Sequence, residues 1–187
     1  MRSSVILLLS LAMITPVFAA PQEIEIPQDP WEPIFFHVIN WYSEKAGWTP
    51  LRQMDIPNGA IEVRVWSWFG FWGSEGLLLR RDGDQWLGLY TRNGFEVREV
   101  HPETSWNALW KRVEALGILT LPDSSTLPGE ADSLDGIGYV VEINDGKLYR
   151  TYHYDNPQGQ EWPEAEKIIE IVKTLYGELL KKDSPSP

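Results

Sequence analysis

Residues 60–69 read AIEVRVWSWF, and the two-residue rhythm of that stretch limits the fold more than any other feature of the chain. Ile61, Val63, Val65, Ser67 and Phe69 fall on one side. Glu62, Arg64, Trp66 and Trp68 fall on the other, which is the period of an extended strand and not of a helix. Pro57-Asn58-Gly59 supplies a turn before it. After the glycine-punctuated segment 70–76, LLLRR is thrown back by Asp82-Gly83 into QWLGLYTR, and Asn93-Gly94 offers a second tight turn into FEVREV at 95–100. These dipeptides suit hairpins because the central residues of such turns take positive φ. Four antiparallel strands are therefore expected between residues 60 and 100. Further on, IGYVVEI turns at Asp145-Gly146 into KLYRTYHYD, a further hairpin.

Helical periods fill the spaces between these ribbons. Ile34, Phe35, Val38, Ile39 and Tyr42 recur at helical spacing, so a helix is expected over 32–45, with Pro33 in its first turn and Gly47 closing it. Trp106, Leu109, Trp110, Val113 and Leu116 form a second stripe, started by Thr104 or Ser105 and ended at Gly117. A third helix opens at Pro163 with the stripe Ala165, Ile168, Ile169, Val172, Leu175, Tyr176 and Leu179. Residues 77–116 and 138–179 share one order of strand, Asp-Gly turn, aromatic strand and amphipathic helix, as a structural duplication would. The expected fold is α+β: an antiparallel sheet of about six strands, built from two hairpin-containing units, with amphipathic helices packed on one face.

The first residues, MRSSVILLLSLAMITPVFAAPQE, read as a secretory leader. Arg2 is the basic start, Val5–Ile14 the apolar run, and Val17-Phe18-Ala19 the small-residue site, with cleavage expected after Ala19. The apolar run is too short to span a bilayer. No later stretch is apolar enough to do so, and stable membrane insertion is not expected. The chain has no cysteine, so lipid attachment at a new N-terminus and disulfide staples are both excluded and burial must supply the stability. Domain organisation follows: leader 1–19, extended proline-rich segment 20–33, one α+β domain 34–181, and a disordered tail 182–187. The leader carries one base and no acid, so removing it moves the formal net charge from −11 to −12. That sign argues against nucleic acid as a partner. The expected location is periplasmic or secreted.

Most catalytic signatures are missing. There is no thiol, phosphate-binding glycine loop, dinucleotide fingerprint, nucleophile elbow or paired-histidine spacing, and no cofactor or metal is implied. His153 and Asp155 project from one face of their strand, as an acid-base pair would, with Glu142 or Glu62 to assist. A solvated strand end explains the same two residues. Glu161, Glu164 and Glu166 stabilise the start of a helix without any further role.

The aromatic side of residues 60–69 has three readings. Trp66 and Trp68 beside Arg64, with Trp72 just beyond, could form a platform on which a sugar or an extended peptide stacks. The 32–45 helix or the proline-rich segment could instead cover that face, making it core. An anchor at a membrane interface is a third. Core in part, with Trp72 the exposed ring, is the expectation; Arg64, Trp66, Trp68 and Trp72 are the candidate binding residues. Glu130, Asp132 and Asp135 in the irregular loop 118–136 are read as solvated.

The run LPD, followed by DGIGYVVEINDGKLYRTYHYDNP and WPEAEKII, resembles a pattern found in uncharacterised exported bacterial proteins, a domain family of unknown function. The resemblance covers roughly residues 60–180 and implies export and no particular activity, ligand or catalytic residue. Taken together, the sequence favours a non-enzymatic exported binding or interaction module with a protein or carbohydrate ligand. A hydrolase using His153 and Asp155 and a structural or assembly component stay open, as does the oligomeric state.

Overall fold

A computed structural model of the chain describes residues 23–25, 32–67, 74–128 and 137–180. The leader with its cleavage site, most of the proline-rich segment, Trp68, Trp72, the acids Glu130, Asp132 and Asp135, and the tail lie outside the described residues.

Among the described residues, seven strands and three helices follow one another in the order β1 (Glu23–Glu25), α1 (Glu32–Lys45), β2 (Ala60–Ser67), β3 (Glu75–Asp82), β4 (Gln85–Arg92), β5 (Glu96–Glu99), α2 (Trp106–Ala115), β6 (Gly138–Asn144), β7 (Leu148–Asp155) and α3 (Pro163–Leu179). Strands β2 to β7 pair antiparallel, as expected. Strand β1, in the segment read as extended, joins the sheet as a short parallel edge on β7. The sheet order is β1-β7-β6-β2-β3-β4-β5, which puts β2 at the centre with one hairpin on each side. Val63 faces Leu79 across one border and Ile143 across the other, so the valine stripe of β2 continues into both hairpins.

That stripe defines the first face of the sheet. Val63, Val65, Leu77 and Val141 lie beneath Leu109 and Val113 of α2 and Ile168, Ile171 and Leu175 of α3, all buried. Ser105 caps α2 by accepting the Ala108 N–H. In α3 the buried stripe runs through Ile171, and Ile169 is only partly buried, a small rotation from the expected face. Glu178 at the end of α3 accepts bonds from the Thr104 N–H and hydroxyl and from Arg112, tying the two helices together.

The α+β architecture with its six antiparallel strands holds, but the helices do not share one face. Helix α1 lies on the second face, where Ile39 packs with Trp48, Trp66, Leu78 and Val140. The reason is that every residue of β2 is buried, its charged side included. On that face Leu78 of β3 and Val140 of β6 flank Arg64 and Trp66 with apolar side chains, and a second layer covers them together with the charges. Helix α1 and the turn at Leu51–Gln53 form that layer. Trp66 lies so close over Gly76 that a methyl group there would sit 2.6 Å from the indole, which is why β3 carries a glycine opposite Trp66.

Candidate functional site

The second face holds a buried polar cluster built by register. Arg64 on β2 stands directly opposite Glu142 on β6. The Arg64 Nε and Nη2 groups both donate to Glu62 Oε1, at 2.8 and 2.7 Å. Its Nη1 reaches Ser43 of α1 at 3.4 Å, and its Nη2 lies 3.2 Å from Met54 Sδ. Glu142 accepts from Trp66 Nε1 at 2.8 Å and from the Tyr149 hydroxyl at 3.0 Å. Burial pushes the Glu142 carboxyl up, and Arg64 and those two hydrogen bonds oppose the rise. The Tyr149 hydroxyl is pushed well up by burial and by Glu142.

These contacts correct the reading of Arg64 and Trp66 as members of an exposed platform. Both are enclosed, Trp66 completely, because the indole N–H is needed by Glu142 and the guanidinium by Glu62 beneath α1. The core alternative is the one the structure takes for Trp66. Trp68 and Trp72 lie outside the described residues. Glu142 and Glu62, considered as helpers for His153, are committed within this cluster instead.

His153 and Asp155 do stand together, with Nε2 3.9 Å from Asp155 Oδ2. A closer carboxylate holds the ring, however. Asp123 Oδ2 accepts from His153 Nδ1 and from the His153 backbone N–H, each at 2.8 Å. A carboxylate only accepts, so this contact fixes a proton on Nδ1. Asp123 Oδ1 accepts from the Ser125 N–H and hydroxyl at 3.0 and 2.5 Å, starting a single helical turn. The same segment is stitched to β7 elsewhere. Arg150 donates to the carbonyls of Leu119 and Leu121, and the Tyr152 and Tyr154 hydroxyls donate to Ile118 and Pro122. With His153 only 6% exposed, the Asp123–His153 pair closes the outer side of β7 where β1 has ended. Asp123 was not singled out in the sequence; Asp-Ser-Ser is a helix-start signal, and it marks the residue without its partner.

Burial raises the Asp123 carboxyl, but the hydrogen bonds and charge of His153, with Ser125, outweigh it and hold the group below the usual range. A carboxyl depressed in the folded state stabilises the fold above its unfolded value and ceases to do so as the pH falls through the folded one. Replacing Asp123 by Asn is expected to cost about 1.5–3 kcal/mol at neutral pH, the range for bonds to a charged group. The difference from the parent should narrow below about pH 4. Urea unfolding of both proteins at pH 7 and in the acid range measures this.

One surface on this side of the molecule is open. Trp41 is 46% exposed and Phe95 71% exposed, and the Lys45 ammonium lies between them, 3.4 Å from the Trp41 ring centre and 4.3 Å from that of Phe95. Trp41 and Lys45 are one turn apart on α1, hence on one helical face. Phe95 arrives from the β4–β5 hairpin, whose register pairs Arg92 with Glu96 and so leaves three residues in the connection. Asn93 and Gly94 take positive φ and make the turn, and Phe95 is the extra residue that is pushed out. The tip is held firmly. Ser74 donates its N–H to Asn93 Oδ1 at 2.9 Å and accepts the Asn93 N–H at 2.7 Å. Gly94 touches α1, where a methyl group would meet Lys45 Cβ at 2.6 Å and the Tyr42 carbonyl at 2.9 Å.

Leu87 and Val97, 38% and 42% exposed, extend the same surface. Val97 stands opposite Thr91, and Leu87, Leu89 and Thr91 alternate onto one face of β4. Leu89 packs with the Trp66 cluster, so this is the second face, beyond the reach of α1. Three of the four exposed large apolar side chains among the described residues, Trp41, Phe95 and Val97, therefore lie at the β4–β5 hairpin end of this face, and Leu87 lies further down β4 on the same face. Neither Trp41 nor Phe95 was a sequence candidate, since Trp41 sits in an ordinary helical pattern and Phe95 reads as the opening residue of a strand.

Among the described residues no group of three or more histidine and acidic side chains is placed to hold a metal ion, and no helix is long and apolar enough to cross a membrane. Compared with protein-family models, curated proteins and solved structures, the chain matches none.

Proposed function

We propose that this chain is an exported, non-enzymatic recognition module that holds a protein partner against the surface formed by Trp41, Lys45, Phe95, Leu87 and Val97. The leader sequence supports export. The observation that carries the reading is the clustering of exposed large apolar side chains on a rigid frame, where a helix end and a hairpin tip interlock. Rings fixed before contact lose little freedom when they bind, and aromatic side chains of this kind dominate protein interfaces. The mixture matters too. A sugar site would be expected to pair flat rings with polar forks, whereas Leu87 and Val97 add aliphatic area suited to a partner's apolar side chains. The alternative use of His153 in hydrolysis has less support, because Asp123 and the wall of β7 enclose its ring.

A photoreactive residue placed at Phe95 in the exported protein tests this directly, with exposed Lys111 on α2 as the control position. The expected result is a discrete protein adduct from position 95, none from position 111, and loss of the adduct in Trp41→Ala. With the partner in hand, Trp41→Ala and Phe95→Ala should each weaken binding about tenfold or more, as central ring anchors do. Identical products from both positions would overturn the proposal. An adduct destroyed by glycan hydrolysis and not by protease would move the ligand to carbohydrate.

A further inference from the structure

Among the described residues, strand β5 ends the sheet with nothing beside it in the strand order, and its backbone phase can be read from its partner. The Val100 N–H donates to the Gly88 carbonyl at 2.9 Å, and Tyr90 pairs with Arg98 and Arg92 with Glu96 in the same register. Antiparallel pairs alternate between bonded and non-bonded, so Glu96, Arg98 and Val100 spend their backbone groups on β4. The N–H and C=O of Val97 and Glu99 consequently point away from the sheet. An edge that offers such groups accepts another strand unless charge or shape forbids it.

From this geometry we infer that β5 pairs with β5 of a second copy of the chain, antiparallel and in plane, about a two-fold axis at Val97. The charges select both the partner and the register. All four side chains of the strand, Glu96, Val97, Arg98 and Glu99, are exposed. An axis at Glu96, Arg98 or Glu99 would set that charge against its own copy. An axis between residues would match inward groups with outward ones. Only an axis at Val97 places Glu96 opposite Arg98 of the second copy, twice, with Val97 against Val97 and uncharged Phe95 against Glu99. Opposite charges directly across a strand border attract and like charges repel, so a self-complementary edge favours this chain over others. Two reciprocal Val97 backbone bonds close the centre. With only four residues per strand the contact is small, which places it in the weak, transient class with micromolar or weaker affinity. Pairing in plane leaves the two ring surfaces on the same face of one continuous sheet, and it does not depend on what those rings bind.

Sedimentation velocity of the mature chain over a range from micromolar to several hundred micromolar concentration is the primary measurement, with thermal melts to show that each variant folds. The parent should shift from monomer to dimer across the range. Glu96→Arg alone and Arg98→Glu alone should each weaken self-association at least tenfold, because each sets like charges opposite one another. Mixed in equal amounts, these two variants should dimerise again, since each now supplies what the other lacks. Val97→Pro should also abolish pairing, by removing the central donor. A parent that stays monomeric throughout overturns the inference. So does a dimer indifferent to Glu96→Arg, or a mixture that remains monomeric. Because none of these measurements contains a partner protein, their failure leaves the recognition reading standing; a crosslink from position 95 to this chain itself reports the β5 pairing, and one to a different protein reports the recognition surface.

Discussion

Replacing Arg64 by Ala is expected to destabilise the protein by about 3–5 kcal/mol, the cost of leaving buried charges without their counter-ion. Arg64 is the cation between Glu62 and Glu142, and all three side chains are almost wholly enclosed. Against a typical domain stability of about 5–15 kcal/mol, with no disulfide to fall back on, that is a large share. The loss should depend on pH in a defined direction. Without Arg64 the Glu142 carboxyl, pushed up by burial, loses the cation that opposes the rise, so protonation stabilises the variant as the pH falls into the carboxylate range. The deficit is therefore greatest at neutral pH and shrinks on acidification. Charge compensation has a second signature. Glu62→Leu combined with Arg64→Met removes an anion and the cation together, and should cost less than Arg64→Ala alone, since it leaves one buried carboxylate, Glu142, without the cation where the single variant leaves two. Urea denaturation at pH 7 and pH 5 measures all of these differences. If the double variant lost as much as the single one, packing and not charge would be the main role of Arg64.

What was visible in the sequence and what was not divide along the range of the interaction. The alternation of β2, the turns at Asp82-Gly83 and Asp145-Gly146, and the stripes of α2 and α3 all depend on neighbours within a few positions, and each was legible. The environment of the Glu62-Arg64-Trp66 side was not. Its charges resemble a solvent-facing pattern; cover by the 32–45 helix was one reading of that face, but the partners that enclose the charges, Glu142, 76 positions beyond Trp66, and Ser43 on that helix, carry no local signal. Asp123 fails to announce itself for the same reason, its histidine being 30 positions away. Phe95 is a different case. Asn93-Gly94 predicts a two-residue turn, and the register adopted by Arg92 and Glu96 adds one residue, which converts an expected strand position into an exposed ring. Charged residues on a central strand would have been the useful warning, had the centrality of β2 been known. The strand order that makes β2 central is a property of the whole chain and of no local segment of it.

Trp66→Ala is the second change expected to have a large effect, about 3–5 kcal/mol from the void alone. The indole is the largest fully buried side chain among the described residues and is packed between Trp48, Leu78, Val140 and the backbone of Gly76, a site with no slack for collapse. It also donates to Glu142 at 2.8 Å, so truncation leaves a buried carboxylate oxygen short of a donor and adds a polar penalty of about 1–3 kcal/mol. Trp66→Phe separates the two parts, since it keeps most of the packing and deletes the N–H. It should cost less than Trp66→Ala, and a Glu142→Gln background should change its cost, because the amide can present a donor or acceptor where the carboxylate could only accept. The four proteins form a double-mutant cycle, and residues in direct contact are expected to show a coupling of about 0.5–3 kcal/mol. Additive losses would mean that the Trp66–Glu142 bond contributes nothing beyond shape. Coupling would instead make the β2–β6 border depend on a polar contact as much as on the valines beneath it, and would account for an ionisable triad at the centre of a protein that has only burial to hold it together.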